Sequence, residues 1–173
     1  APPELEYIVN HAGAKVLVSE PELEPAVEAV RAALTCPTFV RTGPSGGGWE
    51  AYDDLVAAAE PVRDGAHTDP EDVCRLMYTS GTTARPKGVM ITHGNLDAKN
   101  ASHLVELGIT AADRGLAAGP LYHVGALDLT TTTVMYAGGT MHVLPRFDAR
   151  AVLDAIERQA ITTLWLAPAM VNL

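Results

Sequence analysis

The densest group of chemically useful side chains lies in the segment from Tyr78 to Gly88, which reads Tyr-Thr-Ser-Gly-Thr-Thr-Ala-Arg-Pro-Lys-Gly. Glycine allows successive backbone N–H groups to face one anion, hydroxyl groups add donors that rotate, and lysine supplies a compact positive charge. These properties suit phosphate oxygens, although composition alone also fits a solvated polar turn. The segment is therefore a candidate phosphate-binding loop.

This loop does not match the Walker phosphate-binding motif. Counted from Gly81, that motif requires glycine where Pro86 stands and serine or threonine where Gly88 stands. A kinase or GTPase of the Walker type therefore loses support.

A second pattern, Gly-x-Ser-x-Gly at residues 43–47, would place a nucleophilic Ser45 in a hydrolase. The nucleophile elbow of such enzymes leads directly into a helix, whereas Ser45 is followed by three consecutive glycines, which favour a flexible loop. A serine hydrolase is the weaker of the two enzyme hypotheses.

The composition of the chain argues against several other classes of protein. Its 173 residues are 47% hydrophobic, enough for a sizeable core, and its formal charge of −9 argues against general nucleic-acid binding. There is no apolar run near the roughly 20 residues of a membrane span and no signal-peptide pattern, so a cytoplasmic location is expected. Cys36 and Cys74 lack metal-ligand spacing and are predicted to be buried thiols.

The elements that must position the loop alternate between strand-like and helix-like segments. This alternation predicts an α/β fold with a mostly parallel sheet covered by helices. The predicted strands are residues 15–19, 38–41, 73–78, 89–92, 116–119, 140–144 and 163–166. The predicted helices are residues 22–34, 53–60, 95–107, 127–136 and 149–159, the last opened by Asp148 as its N-cap.

Residues Tyr78 to Val89 resemble the signature loop of the adenylate-forming (AMP-binding) superfamily, which includes acyl-CoA synthetases, peptide-synthetase adenylation domains and beetle luciferases. The usual motif is Tyr-Thr-Ser-Gly-Thr-Thr-Gly-x-Pro-Lys-Gly-Val, and the chain departs from it at Ala84, where glycine is usual. If that position needs a positive φ, alanine costs about 1 kcal/mol. The resemblance extends to residues 4–17, 90–96, 120–125, 138–139, 147–148 and 162–168.

The resemblance implies that a carboxylate attacks the α-phosphate of ATP and that the thiol of coenzyme A then displaces AMP from the acyl-adenylate. The loop would hold the ATP phosphates with Mg²⁺, with Thr83 at the metal and Lys87 also catalytic. Arg85 fits a solvated side chain better than a ligand. The residues assigned to ATP in this way are Thr79, Ser80, Gly81, Thr82, Thr83 and Lys87.

His123 lies in the segment Pro-Leu-Tyr-His-Val-Gly, which resembles the family's Pro-Leu-Phe-His-Val element. In the family this histidine borders the substrate carboxylate and the adenylate, so the resemblance makes His123 a catalytic and substrate-binding candidate. A histidine that merely closes a loop is the structural alternative.

The resemblance also places Gly125 and Leu127 at the acid substrate. Amino-acid-activating relatives carry an aspartate at the position that aligns with Gly125, and Asp128 stands three residues away, so an amino acid is disfavoured. The apolar Ala126 and Leu127 favour a medium or long fatty acid, and an aryl acid stays an alternative. Leu127 fits a plain helix core equally well.

The resemblance covers about a third of such an enzyme. We therefore expect a part of the large N-terminal domain, with residues 1–70 as a lead-in α/β segment, residues 71–173 carrying the phosphate loop and acid site, and the C-terminal domain absent. The predicted function is ATP-dependent conversion of a carboxylic acid to an acyl-CoA, with this chain alone inactive. A carrier-protein thiol as acceptor, a non-catalytic ATP-binding module, and an amino-acid- or aryl-acid-activating domain are the alternatives; the oligomeric state is unassigned.

Overall fold

The computed structural model describes residues 1–79 and 85–172. The chain divides into two compact units, the first made of Ala1–His67 with Tyr78–Gly88 and the second of Thr68–Met77 with Val89–Leu173. Each unit combines helices with a parallel sheet, which confirms the predicted α/β class. In the described part of the chain, no helix has both the length and the hydrophobicity to cross a membrane.

The first unit contains a three-stranded parallel sheet in the order β1-β2-β3. Val16 pairs with Thr38 across the first two strands, and Val40 pairs with Glu50 across the next two. Its elements are α1 (Pro2–His11), β1 (Val16–Ser19), α2 (Glu24–Glu28), β2 (Thr38–Arg41), β3 (Glu50–Ala51) and α3 (Tyr52–Ala58). Val27, Cys36, Phe39 and Trp49 form its buried core cluster.

The single helix predicted over residues 22–34 is wrong. This stretch forms a 3₁₀ turn at Pro21–Leu23, the short helix α2, and a second 3₁₀ turn at Arg31–Ala33. Pro25 lies in the first turn of α2, and its ring prevents an uninterrupted helix from the preceding turn. Val30, with φ −125°, leaves the helical region before the second turn begins.

The strands that flank the candidate loop are β4 (Val73–Tyr78) and β5 (Gly88–Thr92), which form a two-stranded sheet. The connection of residues 79–87 is too short for the crossover that parallel strands need, so the pairing is antiparallel. The His93 N–H donates to the Asp72 carbonyl (3.1 Å) at the end away from the loop. Both strands were predicted from the sequence.

The two cysteines have different surroundings. Cys36 is buried, as predicted, whereas the prediction of a buried Cys74 is wrong because its side chain is exposed. The Cys74 thiol donates to the Ile91 carbonyl (3.2 Å) along the β4–β5 ribbon. A ribbon of two strands does not enclose every side chain that an apolar strand sequence carries.

The second unit has a three-stranded parallel sheet in the order β7-β6-β8. Parallel strands require helical crossovers: the chain runs from β6 through α5 and α6 to β7, and then through α7 to β8, which pairs with the other edge of β6. Its elements are α4 (His93–Leu107), β6 (Arg114–Ala117), α5 (Val124–Ala126), α6 (Thr132–Tyr136), β7 (Thr140–Val143), α7 (Ala149–Gln159), β8 (Thr163–Leu164) and α8 (Pro168–Val171). Leu116, Ala118 and Val152 form its core cluster.

Local capping signals set the ends of the long helices. Thr92 and Asn95 form a reciprocal capping box at the start of α4, and Gly108 ends that helix in the left-handed conformation. The Asp148 side chain accepts from the Ala151 N–H (2.7 Å), which confirms the predicted N-cap of α7.

The helix predicted over residues 127–136 starts earlier and is not uniform. It begins with α5, passes through a π-helical turn at Leu127–Thr131, and continues as α6. The Thr131 hydroxyl donates to the Ala126 carbonyl (2.8 Å). Threonine hydroxyls that bond to backbone carbonyls in this way compete with the backbone N–H donors of a regular α-helix. The run of threonines in this segment therefore favours the π-helical turn.

Ala160 provides a test of the helix end. It ends α7 with φ 49° and ψ 51°, a left-handed conformation that suits glycine better than alanine. We expect Ala160→Gly to raise the free energy of unfolding by about 0.5–1 kcal/mol, and Ala155→Gly inside α7 to lower it by at least about as much. Urea denaturation measures both; a destabilising Ala160→Gly would contradict the assignment.

Candidate functional site

The two ends of the candidate phosphate loop are joined by the backbone. The Thr79 N–H donates to the Lys87 carbonyl (3.0 Å), and the Lys87 N–H donates to the Thr79 hydroxyl (3.4 Å). Lys87 is exposed, so its ammonium group is accessible to an anion from solvent. The structure thus brings Thr79 and Lys87 together. The other predicted loop residues lie outside the described part of the chain: Ser80, Gly81, Thr82, Thr83 and Ala84.

Gly88 packs closely against a side chain at the strand end. A Cβ atom at this position would lie 3.1 Å from the ring of Tyr78, closer than a side chain comfortably approaches. The Tyr78 hydroxyl is in turn 2.7 Å from Nδ1 of His11. Burial raises the pKa of Tyr78, and the neighbouring Tyr7 adds to the rise.

Helix α1 supports both ends of the loop through aromatic contacts. Tyr7 stacks on His11 with ring centroids 5.1 Å apart and meets Tyr78 edge-on at 6.5 Å. The Arg85 guanidinium lies 5.3 Å from the centre of the Tyr7 ring, a cation–π contact. Sequence reasoning missed Tyr7 and His11; their spacing of four residues on one helix face was the available signal.

His123, in the second unit, immediately precedes α5. Its Nδ1 accepts a hydrogen bond from the Gly125 N–H (3.0 Å), so the neutral ring carries its proton on Nε2. The ring is stacked against Trp165, with centroids 6.3 Å apart and an interplanar angle of 24°. The exposed His123 side chain is therefore oriented by two contacts and can donate from Nε2.

Gly125 is buried against the same tryptophan. A Cβ atom at Gly125 would lie 2.6 Å from the Trp165 indole, and one at Gly119 would lie 3.7 Å from it. The absence of a side chain at Gly125 therefore allows the indole to occupy this position. Trp165 was missed at the sequence level because it follows β8, forty residues after Gly125 along the chain.

Leu127, half-buried, opens the π-helical turn, and the buried Asp128 follows it. The Arg75 guanidinium donates to the Asp128 carboxylate (2.6 Å), and the Lys99 ammonium donates to the Asp128 backbone carbonyl (2.5 Å). Burial lowers the pKa of Lys99; the Asp128 charge opposes this effect and Arg75 reinforces it. Sequence reasoning noted Asp128 but missed its partners.

Among residues 1–79 and 85–172, there is no group of three or more His, Cys, Asp or Glu side chains arranged to hold a metal ion. The predicted metal residue, Thr83, lies outside this range.

A model of the family described as AMP-binding enzyme matches residues 1–173, the whole chain. The chain belongs to the AMP-binding enzyme family. Feruloyl-CoA synthase of Amycolatopsis sp is 39% identical over 97% of this chain and 32% of its own length. A long-chain-fatty-acid–CoA ligase of Mycobacterium tuberculosis is 32% identical over 99% of this chain and 33% of its own length.

Two solved structures have the same fold as this chain. The anthranilate CoA ligase AuaEII in complex with anthranoyl-AMP has a TM-score of 0.89 at 28% identity, over 98% of this chain and 34% of that one. ATP-bound MatB from Rhodopseudomonas palustris has a TM-score of 0.84 at 30% identity, over 99% of this chain and 33% of that one. The chain thus spans about a third of the length of these relatives, the share expected from the sequence.

Substitution of Gly125 tests the packing of the candidate site most directly. We expect Gly125→Ala to displace the Trp165 indole, to change tryptophan fluorescence, and to lower the free energy of unfolding by about 1–3 kcal/mol, because the site is already filled. Gly65→Ala is the matched control, since nothing lies within 4 Å of its Cβ position. Unchanged fluorescence and stability in Gly125→Ala would contradict the packing described.

Proposed function

We propose that the protein carrying this chain activates a carboxylic acid with ATP and transfers the acyl group to a thiol. A carboxylate oxygen attacks the α-phosphorus of ATP, the bond to the β-phosphate oxygen breaks, and pyrophosphate leaves. The thiol sulfur then attacks the acyl carbon, the carbon–oxygen bond to AMP breaks, and the thiol proton passes to solvent. The observation that carries this proposal is a family-type phosphate loop whose ends, Thr79 and Lys87, are held together by the backbone.

The loop residues act by position and charge rather than by covalent chemistry. Lys87 binds a phosphate oxygen and offsets the charge that develops on the departing pyrophosphate. Thr79, Ser80, Gly81 and Thr82 supply hydroxyl and N–H donors. A loop rich in hydroxyl oxygens fits a hard cation, so Thr83 is proposed as the protein ligand of Mg²⁺. When bound, Mg²⁺ neutralises phosphate charge.

His123, Gly125 and Leu127 are proposed to contact the acid. The orientation of His123 supports this role, because its Nε2–H can donate to a carboxylate or adenylate oxygen. Coenzyme A is the proposed acceptor, as in the relatives named CoA ligases and synthases; a carrier-protein thiol is the second candidate. Residues 1–173 are proposed to be part of the N-terminal domain, with residues 1–70 leading into the site segment 71–173.

The class of acid is not set by family membership. The relatives named above are described as acting on feruloyl and long-chain fatty acyl groups, so they do not favour the fatty acid predicted from the sequence over an aryl acid. An amino acid remains disfavoured, since the Asp128 carboxylate is engaged by Arg75 at 2.6 Å and is not offered to a substrate ammonium group.

Lys87 provides the direct test of the phosphate loop. We expect Lys87→Ala to weaken MgATP binding by about 10- to 100-fold, the effect of losing a hydrogen bond to a charged group. Calorimetry on the full-length protein at fixed ionic strength measures this change. Lys15→Ala, which removes the same charge from an exposed position before β1, should leave the affinity unchanged. Equal affinities in the two variants would contradict the assignment.

A further inference from the structure

Helix α1 lies beside the far end of the candidate phosphate loop, the segment from Arg85 to Lys87, which is called the exit arm below. A cavity of about 660 Å³ separates the two. Tyr7, Asn10 and His11 are among the helix residues in its wall, and Arg85 and Pro86 line it from the exit arm. A cavity leaves the surfaces on its two sides without van der Waals contacts across it. The position of the exit arm therefore depends on side chains that span this space.

Arg85 makes such a contact with α1. Its guanidinium carbon lies over the Tyr7 ring, 5.3 Å from the ring centre. Tyr7 is half-buried, whereas Arg85 is exposed. At an exposed site, a cation–π contact corresponds to about a two- to fivefold shift in an equilibrium. Because Arg85 is two residues before Lys87, this contact restrains the part of the chain that carries the lysine.

Tyr7 also contacts the chain just before the loop. Its ring meets the Tyr78 ring edge-on, with centroids 6.5 Å apart. The same ring stacks on His11 at 5.1 Å, and Nδ1 of His11 is 2.7 Å from the Tyr78 hydroxyl. One face of α1 thus contacts the chain at both ends of the loop.

These contacts lie next to the hydrogen bond that joins the loop ends. Thr79, which follows Tyr78, donates from its N–H to the Lys87 carbonyl (3.0 Å). Both residues are exposed. Backbone hydrogen bonds that are open to solvent break more readily than those of a core. Contacts at Tyr78 and Arg85, on either side of this bond, favour its closed form.

We propose that Tyr7 is a positioning residue of the phosphate loop, and that Arg85 is an anchor on Tyr7 rather than a phosphate ligand. This inference rests on the proposed function. Tyr7 does not contact ATP; it raises the fraction of molecules in which the loop ends are joined and Lys87 is placed to meet a phosphate. The apparent affinity for a ligand falls in proportion when the competent fraction falls. Loss of Tyr7 therefore weakens MgATP binding although every ligand group remains.

Amide hydrogen exchange of the full-length protein without ATP tests the positioning step by itself. In Tyr7→Leu, the peptide that covers residues 78–88 should exchange at least about twofold faster than in the unaltered protein, because the Thr79–Lys87 hydrogen bond opens more often. Tyr7→Phe keeps the ring and should exchange at the unaltered rate. Tyr52→Leu removes another exposed tyrosine of the first unit and is the matched control. Unaltered exchange in a folded Tyr7→Leu variant would overturn the inference.

Calorimetry with MgATP at fixed ionic strength distinguishes an anchor from a ligand. Arg85→Gln should weaken binding about two- to fivefold, and Tyr7→Leu at least as much, since it also loses the contact with Tyr78. The double variant should bind no more weakly than Tyr7→Leu alone, because Arg85 has then already lost its ring. If the double variant instead loses affinity by the product of the two single effects, Arg85 acts independently of Tyr7 and the inference is wrong.

The same titrations separate this inference from the proposed function. If the unaltered full-length protein does not bind MgATP, both are wrong. If Lys87→Ala weakens binding whereas Tyr7→Leu and Arg85→Gln do not, the proposed function stands and the inference is overturned. Circular dichroism reports whether Tyr7→Leu is folded. If it is not, Arg85→Gln decides, since it replaces an exposed side chain; unaltered affinity in that variant would contradict the anchor.

Discussion

The hydrogen bond from the Thr79 N–H to the Lys87 carbonyl (3.0 Å) joins the two ends of the candidate phosphate loop. A loop whose ends are fixed loses less conformational entropy when it binds an anion. A larger share of the free energy of its contacts with the anion therefore contributes to affinity. The contacts of Tyr78 with His11 and with Gly88 stabilise the same strand end from the side. In a chain of net charge −9, the proposed phosphate binding would depend on such a local arrangement.

In the second unit, charged side chains form a buried network. Asp128 is buried beside Arg75, and Lys99 completes the backbone hydrogen bonding of a turn that is not regular α-helix. Such a network is costly to bury, and removing one member leaves the others without compensation. The network therefore fixes the conformation of the helical run and the side chains that pack against it.

Local signals in the sequence predicted the elements well where capping residues mark their ends. Asp148 opens α7 and Gly108 closes α4, and both act through atoms a few residues away. Prediction failed where a local helix breaker was overlooked and where packing with other elements decides exposure. The segment 22–34 has apolar residues at helical spacing but divides around Pro25, and Cys74 lies in an apolar strand whose ribbon leaves it exposed.

The sequence by itself determined the α/β class, the strands on either side of the loop, and the family to which the loop motif belongs, because each depends on residues adjacent in the chain. Tertiary structure alone decided which side chains support the site. His11 meets Tyr78 from 67 residues away, and Arg75 meets Asp128 from 53 residues away. No periodicity or motif encodes such pairs, since they form only when the packing of separate elements brings them within hydrogen-bonding distance.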